Sequence, residues 1–380
     1  MIPRKPGPIE AGRRDGRVIL AAAFLRAAAT AMGGVLLGLH LGASGFGARA
    51  IGFIVGAGLA GNAAGTLLVG PLADRFGRRW ILAVLAALAA GGGVAVAFAL
   101  EQAMIPATAE SARRTRRFAS YSVVSDVGHA FGSLAAGLPA LLRETPGMGE
   151  VASYRTGFLL VGLLSLAAAP LYATLSRGVE SSSPTRRLTP ASRRVVGRLA
   201  GLYSIDSLAG GFLTTALLSY WFFRRFGVDE SALGPLFLFA RVANAASYVL
   251  AARLAEKIGL LRTMVFTHAP SSLLLMAVPF APTFAGAVAL FLARELLVEM
   301  DVPTRQAYTM ALVRPEERPR ASSVTNFVRT AGWSVAPALA GHLMMATASA
   351  APLVLGGAVK LLYDAALYVS FRRERIAEEA

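Results

Sequence analysis

Cysteine is absent from the 380 residues. A disulfide scaffold, a thiolate nucleophile and any thiolate-ligated metal are thereby excluded. Charge is scarce, at 16% of residues, where soluble domains carry about 25%. The four histidines, His40, His129, His268 and His342, are scattered without metal-ligand spacing, so no metal and no cofactor are expected. No nucleophile–base constellation and no phosphate-binding loop stand out, which argues against an enzyme and against drive by ATP. Gly56-Ala-Gly58-Leu-Ala-Gly61 has the glycine spacing of a dinucleotide loop. It lies inside an apolar run with no strand before it, so a helix-packing face explains it better.

Hydrophobic residues make up 55% of the chain. They gather into eleven stretches, near 18–40, 50–71, 80–100, 118–142, 156–175, 199–222, 232–254, 261–281, 283–301, 321–346 and 351–371. About 20 residues suffice for a helix to cross roughly 30 Å of hydrocarbon. The runs are long, rich in Ala, Leu and Gly, and lack period-2 alternation, so helices rather than strands are expected. The first run follows 17 mostly polar residues and is too long for a cleaved leader. The fold class expected is an all-α polytopic membrane protein with about eleven transmembrane helices.

The formal net charge is +16, which in a soluble chain would raise nucleic acid as a partner. Here the positive charge sits at helix ends. Counting alternate links from the N-terminus, one set carries 24 Lys/Arg and the other five. Links rich in Lys and Arg stay cytoplasmic. Both termini are therefore expected in the cytoplasm of a cell whose cytoplasmic membrane holds the chain, and no nucleic acid is expected. Residues 176–198 form a Ser/Pro/Arg-rich polar linker. It divides an N-terminal bundle, 1–175, of about five spans from a C-terminal bundle, 199–380, of six.

The two bundles repeat each other. Gly70-Pro-Leu-Ala-Asp74-Arg75-Phe-Gly77 recurs 182 residues later as Ala252-Arg-Leu-Ala-Glu256-Lys257-Ile-Gly259. Gly128-x-x-x-Gly132 with Gly137 recurs 204 residues later as Gly332-x-x-x-Ala336-Pro337 with Gly341, and Glu101-Gln-Ala recurs as Arg305-Gln-Ala at the same 204 offset. The offsets differ by 22 residues, about one membrane span. The first half is therefore expected to be one helix short, between Arg79 and Arg113. A single long crossing at 80–100 is the simplest reading. It leaves Arg113, Arg114, Arg116 and Arg117 on the side that basic links avoid, and a re-entrant path bent at Gly91-Gly92-Gly93 is the alternative.

Gly70, Leu72, Asp74, Arg75, Gly77, Arg78 and Arg79 resemble the Gly-x-Leu-x-Asp-Arg-x-Gly-Arg-Arg signature between helices 2 and 3 of major facilitator superfamily transporters. The resemblance extends to two helical halves around a polar link and covers nearly the whole chain. It implies secondary active transport of a small solute by alternating access in a lipid bilayer, without a cofactor, as a monomer. It also implies a conformational latch at Gly70, Asp74, Arg75, Gly77, Arg78 and Arg79, with Glu256 and Lys257 in the second half. Charge at topological boundaries is the plainer reading of the same residues. The Gly128, Gly132 and Gly137 pattern resembles the superfamily's antiporter motif, a lean towards efflux. Close backbone packing, shared with Gly332, Pro337 and Gly341, explains it equally. A transport-inactive scaffold or sensor is the alternative, since the superfamily has twelve helices.

Ionisable residues within spans mark functional candidates. Arg26 and Asp206 lie 180 residues apart, near the repeat offset. They are expected to face each other and to separate on protonation, unless both reach for the nearby aqueous face. Asp126 and His129 share a helical face at i, i+3. Glu295, Glu299 and Asp301 form the densest acidic group in any span. They serve either coupling or pairing with Arg314–Arg320. Arg241 and Arg329 lie deep enough to hold an anion or to neutralise these carboxylates. Protons are the expected coupling partner.

Overall fold

The computed structural model describes residues 8–88, 97, 100, 101, 104–108, 114–144, 146–180, 188–346 and 350–373. These residues form helices and connecting turns, with no strand among them. In chain order the α-helices are α1 (Pro8–Ala43), α2 (Ala48–Phe76), α3 (Arg78–Leu88), α4 (Arg114–Ala135), α5 (Leu138–Arg143), α6 (Glu150–Ala173) and α7 (Pro190–Gly211). They continue as α8 (Thr215–Phe226), α9 (Glu230–Ile258), α10 (Leu260–Ala277), α11 (Phe284–Val298), α12 (Asp301–Ala311), α13 (Arg318–Ala346) and α14 (Ala351–Phe371). Among the described residues, five helical segments are long and apolar enough to cross a bilayer: Glu10–Ala43, Glu150–Ala173, Glu230–Ile258, Leu260–Phe280 and Ala351–Phe371. Two expected spans are each divided. The 199–222 stretch breaks between Gly211 and Thr215, and the 283–301 stretch breaks after Val298.

The internal repeat is visible in the backbone. Gly77 and Gly259, 182 residues apart, both have positive φ, 91° and 86°. Each ends a long helix and opens the next. The amide of Gly77 donates to the Ala73 carbonyl, and that of Gly259 to the Ala255 carbonyl, both at 2.9 Å. The Gly77 carbonyl then accepts from Ile81, and the Gly259 carbonyl from Thr263. A side chain at either glycine would be strained in this left-handed conformation, so the two sharp helix-to-helix corners require glycine.

The chain separates into two compact units. One takes Met1–Leu37, Gly61–Ser183 and Asp229–Leu238; the other takes Gly38–Ala60, Pro184–Val228 and Phe239–Ala380. In the first unit α4 packs on α1 through glycine. A Cβ at Gly132 would stand 2.0 Å from the Ala28 carbonyl oxygen, and one at Gly128 2.6 Å from that of Phe24. Such close approach lets dispersion act between backbones where lipid offers no hydrophobic drive. The α5–α6 corner is tied by Arg143, which meets Glu230 at 2.6 Å, while the Tyr154 hydroxyl also donates to Glu230.

The second unit repeats the device. Cβ atoms at Gly52 and Gly341 would meet the carbonyl oxygens of Pro337 and Ala48 at 2.2 and 2.3 Å, joining α13 to α2. Gly332 approaches the Ser204 carbonyl on α7 in the same way. Gly137 differs, since its nearest neighbour is the carbonyl of Leu134 in its own segment.

The path of residues 80–108 departs from the single crossing expected. Helix α3 is only 11 residues long, about 16 Å at 1.5 Å per residue, half a bilayer. The Arg79 guanidinium at its start donates to the Leu175 carbonyl at 3.0 Å. Met104 and Ile105 belong to the same buried cluster as Leu82, Leu175 and Val179. The 3₁₀ turn Ile105–Thr108 packs against the 3₁₀ turn Arg177–Glu180 that follows α6. Residue 105 is thus back at the end from which α3 departed. Arg117 lies at this end as well, its guanidinium beside Gly16. A returning path removes the charge conflict, because the arginines after residue 112 join the other basic links. Residues 89–96, with the Gly91–Gly93 bend, lie outside the described residues.

Candidate functional site

Four helices of the second unit bring charged side chains into one buried cluster. On α7 the stripe Tyr203, Asp206 and Gly210 follows the i, i+3, i+4 spacing that keeps residues on one face. Helix α7 starts at a defined point, where the Thr189 hydroxyl caps the Ser192 amide and Pro190 occupies the first turn. Asp301 and Arg305 lie one turn apart on α12, Lys360 and Asp364 one turn apart on α14, and His268 is on α10. All six of these charged or titratable groups are buried.

The pairing can be followed atom by atom. Asp206 Oδ1 accepts from Lys360 Nζ at 2.6 Å, and Oδ2 from Arg305 Nη1 at 3.1 Å. The same Arg305 nitrogen reaches Asp301 Oδ2 at 2.7 Å. The Arg305 guanidinium also lies over the Tyr203 ring, 5.4 Å from its centroid. Lys360 Nζ stands 3.3 Å from His268 Nε2, and His268 Nδ1 stands 2.9 Å from Asp364 Oδ1. An ammonium has no lone pair, so Nε2 must be the acceptor and Nδ1–H the donor to Asp364. The second Asp364 oxygen is buried without a partner among the described residues. Taking such charges out of water costs several kcal/mol each. Dense mutual pairing offsets that cost, which is why disturbing one member disturbs the rest.

The first unit holds a second buried ion pair. Arg26 meets Glu101 Oε2 at 2.9 Å, and its Nε lies 3.2 and 3.1 Å from the two carboxylate oxygens. The hydroxyls of Tyr121 and Tyr172 donate one to each oxygen of Glu101. Glu101 is fully buried. The repeat relates the two pairs. Arg26 corresponds to Asp206 at offset 180, and Glu101 corresponds to Arg305 at offset 204. Each half therefore carries an ion pair at equivalent positions with its polarity reversed.

This corrects the expected Arg26–Asp206 pair. Each residue finds its counter-charge within its own unit, because Glu101 and Arg305 return to the helix that carries its mate. The acidic group of 295–301 also resolves differently from the expected pairing with Arg314–Arg320. Glu295 pairs with the adjacent Arg294, Glu299 accepts from the Tyr248 hydroxyl at 3.3 Å, and Asp301 pairs with Arg305. The break after Val298 makes this possible, since it turns Asp301 into the first residue of a new helix. Asp126 and His129 are part-buried on α4, and neither stands free. Arg241 and Arg329 are part-buried on α9 and α13.

At the signature, Arg79 reaches Leu175 as described, while Arg75 and Phe76 are exposed with the guanidinium 5.3 Å over the ring. Glu256 and Lys257 are exposed. The side chains of Gly70 and Asp74 lie outside the described residues, so the latch carboxylate does too.

Sequence reasoning passed over Lys360 and Asp364, although they are the only charges in the stretch 351–371 and stand one turn apart. That was a legible signal. His268 was read as a packed histidine, and nothing in its neighbours betrays its two charged partners. Glu101 entered only as a repeat marker. Tyr121, Tyr172 and Tyr203 carry no spacing signal.

Comparison with known proteins agrees with this architecture. The family model of the Major Facilitator Superfamily matches residues 80–337. An uncharacterized membrane protein of Saccharomyces cerevisiae, YJR124C, is 22% identical over 393 residues, covering 87% of this chain and 88% of its own. The MFS-type transporter YceJ of Bacillus subtilis is 24% identical over 323 residues, covering 78% and 80%. The crystal structure of a D-xylose-proton symporter superposes with a TM-score of 0.72 at 15% identity, over 93% of this chain and 96% of that one. With the repeated helical halves and more than half of the chain matched, the protein belongs to the Major Facilitator Superfamily and is a multi-pass membrane transport protein.

Proposed function

We propose that the chain is a proton-coupled secondary transporter of a small solute, working by alternating access as a monomer, with export as its direction. The observation that carries this reading is His268 held between Lys360 and Asp364. A proton arriving at His268 Nε2 converts that atom from acceptor to donor. Lys360, 3.3 Å away, then faces a cation and loses its acceptor. Asp206 Oδ1 is 3.7 Å from Nε2 and is placed to take the new N–H. Asp206 would exchange Lys360 for imidazolium, and the ammonium would be released from α7. The groups that face this exchange are Tyr203 and Asp206 on α7, Asp301 and Arg305 on α12, Lys360, Tyr363 and Asp364 on α14, and Arg329 on α13. A proton is thereby coupled to rearrangement among four helices, as alternating access requires. The charge asymmetry of the links supports cytoplasmic termini in a cytoplasmic membrane.

The test uses proteoliposomes carrying an internal pH dye, preloaded with pooled small metabolites. An imposed pH gradient should drive counterflow with proton movement. His268→Gln should leave solute exchange in place while removing its pH dependence. Identical flux at acid and alkaline pH in both proteins would refute coupling through His268. The half-length α3 favours a second reading, a transport-inactive membrane sensor. No flux with any pool, from a protein that melts cooperatively, would decide for it.

A further inference from the structure

One cation near the buried cluster has no partner. Arg329 projects from α13 within electrostatic reach of Tyr203, Asp206, Glu299, Asp301 and Arg305. Its Nε is buried without an acceptor, and it makes no ion pair among the described residues. The nearby carboxylates are committed elsewhere. Lys360 and Arg305 take the two oxygens of Asp206, Arg305 takes Asp301, and Tyr248 takes Glu299. A guanidinium left in this state beside a second guanidinium calls for an anion that the chain does not supply.

The surroundings add shape to that charge. Trp333 lies four residues on, one turn along the same face of α13. It is 44% exposed, yet it reaches the buried cluster. A Cβ at Gly210 would stand 2.9 Å from the indole Nε1 and 3.9 Å from Lys360 Nζ. Gly210 is therefore the space into which the indole edge fits, with the ring running from Lys360 to open surface. The hydroxyl of Ser207, on the next position but two before Gly210, is buried and unpartnered. A cation at the indole, an unpaired fork of donors one turn away and a spare hydroxyl make a poor site for an organic cation. They suit a planar body bearing a carboxylate.

We propose that this face of the second unit binds a small planar organic anion, its carboxylate on Arg329 and its ring against Trp333. The inference rests on the transport reading above and names its substrate class. Lys360, released when His268 takes a proton, becomes a second cation at the same place. Anion binding and proton uptake then favour each other.

The test uses the full-length protein in lipid nanodiscs, with benzoate, salicylate and indole-3-acetate as probes. Acetate, benzyl alcohol and benzylammonium serve as matched comparisons. The aromatic anions should raise the melting temperature and quench indole fluorescence. Acetate and benzyl alcohol should bind more weakly, and benzylammonium not at all. Arg329→Gln should weaken benzoate by at least about tenfold, the scale of one charge-assisted pair. Arg329→Lys should restore part of that loss, and Trp333→Leu should remove the advantage of benzoate over acetate. The inference is overturned if none of the three aromatic anions binds, or if benzylammonium or benzyl alcohol matches benzoate. Unchanged benzoate affinity in both Arg329 variants overturns it as well. Proton-coupled counterflow that persists without anion binding sinks this inference alone. Anion binding without pH-dependent flux sinks the coupling and leaves the site.

Discussion

The buried pair Arg26–Glu101 offers a quantitative test of how the first unit is held. Glu101 accepts from Arg26 and from two tyrosine hydroxyls and is fully buried. Glu101→Gln keeps the shape but strands a guanidinium that cannot lose its proton. Breaking a buried pair from one side costs about 3–5 kcal/mol. Arg26→Gln leaves a carboxylate that keeps both phenolic donors, so it should cost less. The double variant Arg26→Gln/Glu101→Gln strands no charge and should be more stable than Glu101→Gln alone, with a coupling energy of roughly 2–3 kcal/mol. One kcal/mol moves a melting temperature by about 2–4 °C in domains of 150–250 residues. A drop on the order of 10 °C is therefore expected for Glu101→Gln in detergent, followed by intrinsic fluorescence, with partial recovery in the double variant. A shift for Glu101→Gln within about 2 °C, or a double variant that merely sums the singles, would refute the reasoning.

Three further outcomes are expected. Gly132→Val should destabilise more than Gly58→Val in thermal melts, because a Cβ at Gly132 meets the Ala28 backbone at 2.0 Å while one at Gly58 meets nothing within 4 Å; overpacking of this kind costs about 1–3 kcal/mol. Ser111→Cys in this cysteine-free chain should resist a membrane-impermeant thiol reagent in intact cells, as should a cysteine at Ser182, whereas Gly147→Cys should label. Labelling at Ser111 would contradict the return of the chain at residue 105. Glu317 receives the Ser192 hydroxyl and the Thr189 amide, which hold its carboxyl below the ordinary glutamate value. Its tether of the linker end is thus fully present above about pH 4.5 and fades as pH falls through the lowered value. Amide-exchange protection at Thr189 should fall over that acid window, and Glu317→Gln should lower it at neutral pH already.

The sequence by itself determined the helical membrane class, because length and apolarity of the runs are local properties and the bilayer permits few alternatives. It also determined the repeat. Glycines at 77 and 259 and small residues at 128, 132, 332 and 341 recur because sharp corners and backbone contacts admit only them. The shortfall near residues 79–113 was countable from the offsets. Charge partners were not legible. Arg26 and Asp206 have opposite charge at mated positions, which invited a direct pair. Their true partners, Glu101 and Arg305, are 75 and 99 residues away in sequence. Only the tertiary structure decides which helix returns beside which, and hence which charge meets which. The same holds for His268. Its role comes from Lys360 and Asp364, 92 and 96 residues further on, and from a fold that places them on either side of one imidazole. Spacing along a helix fixes a face. What that face meets depends on packing between helices, which no local pattern records.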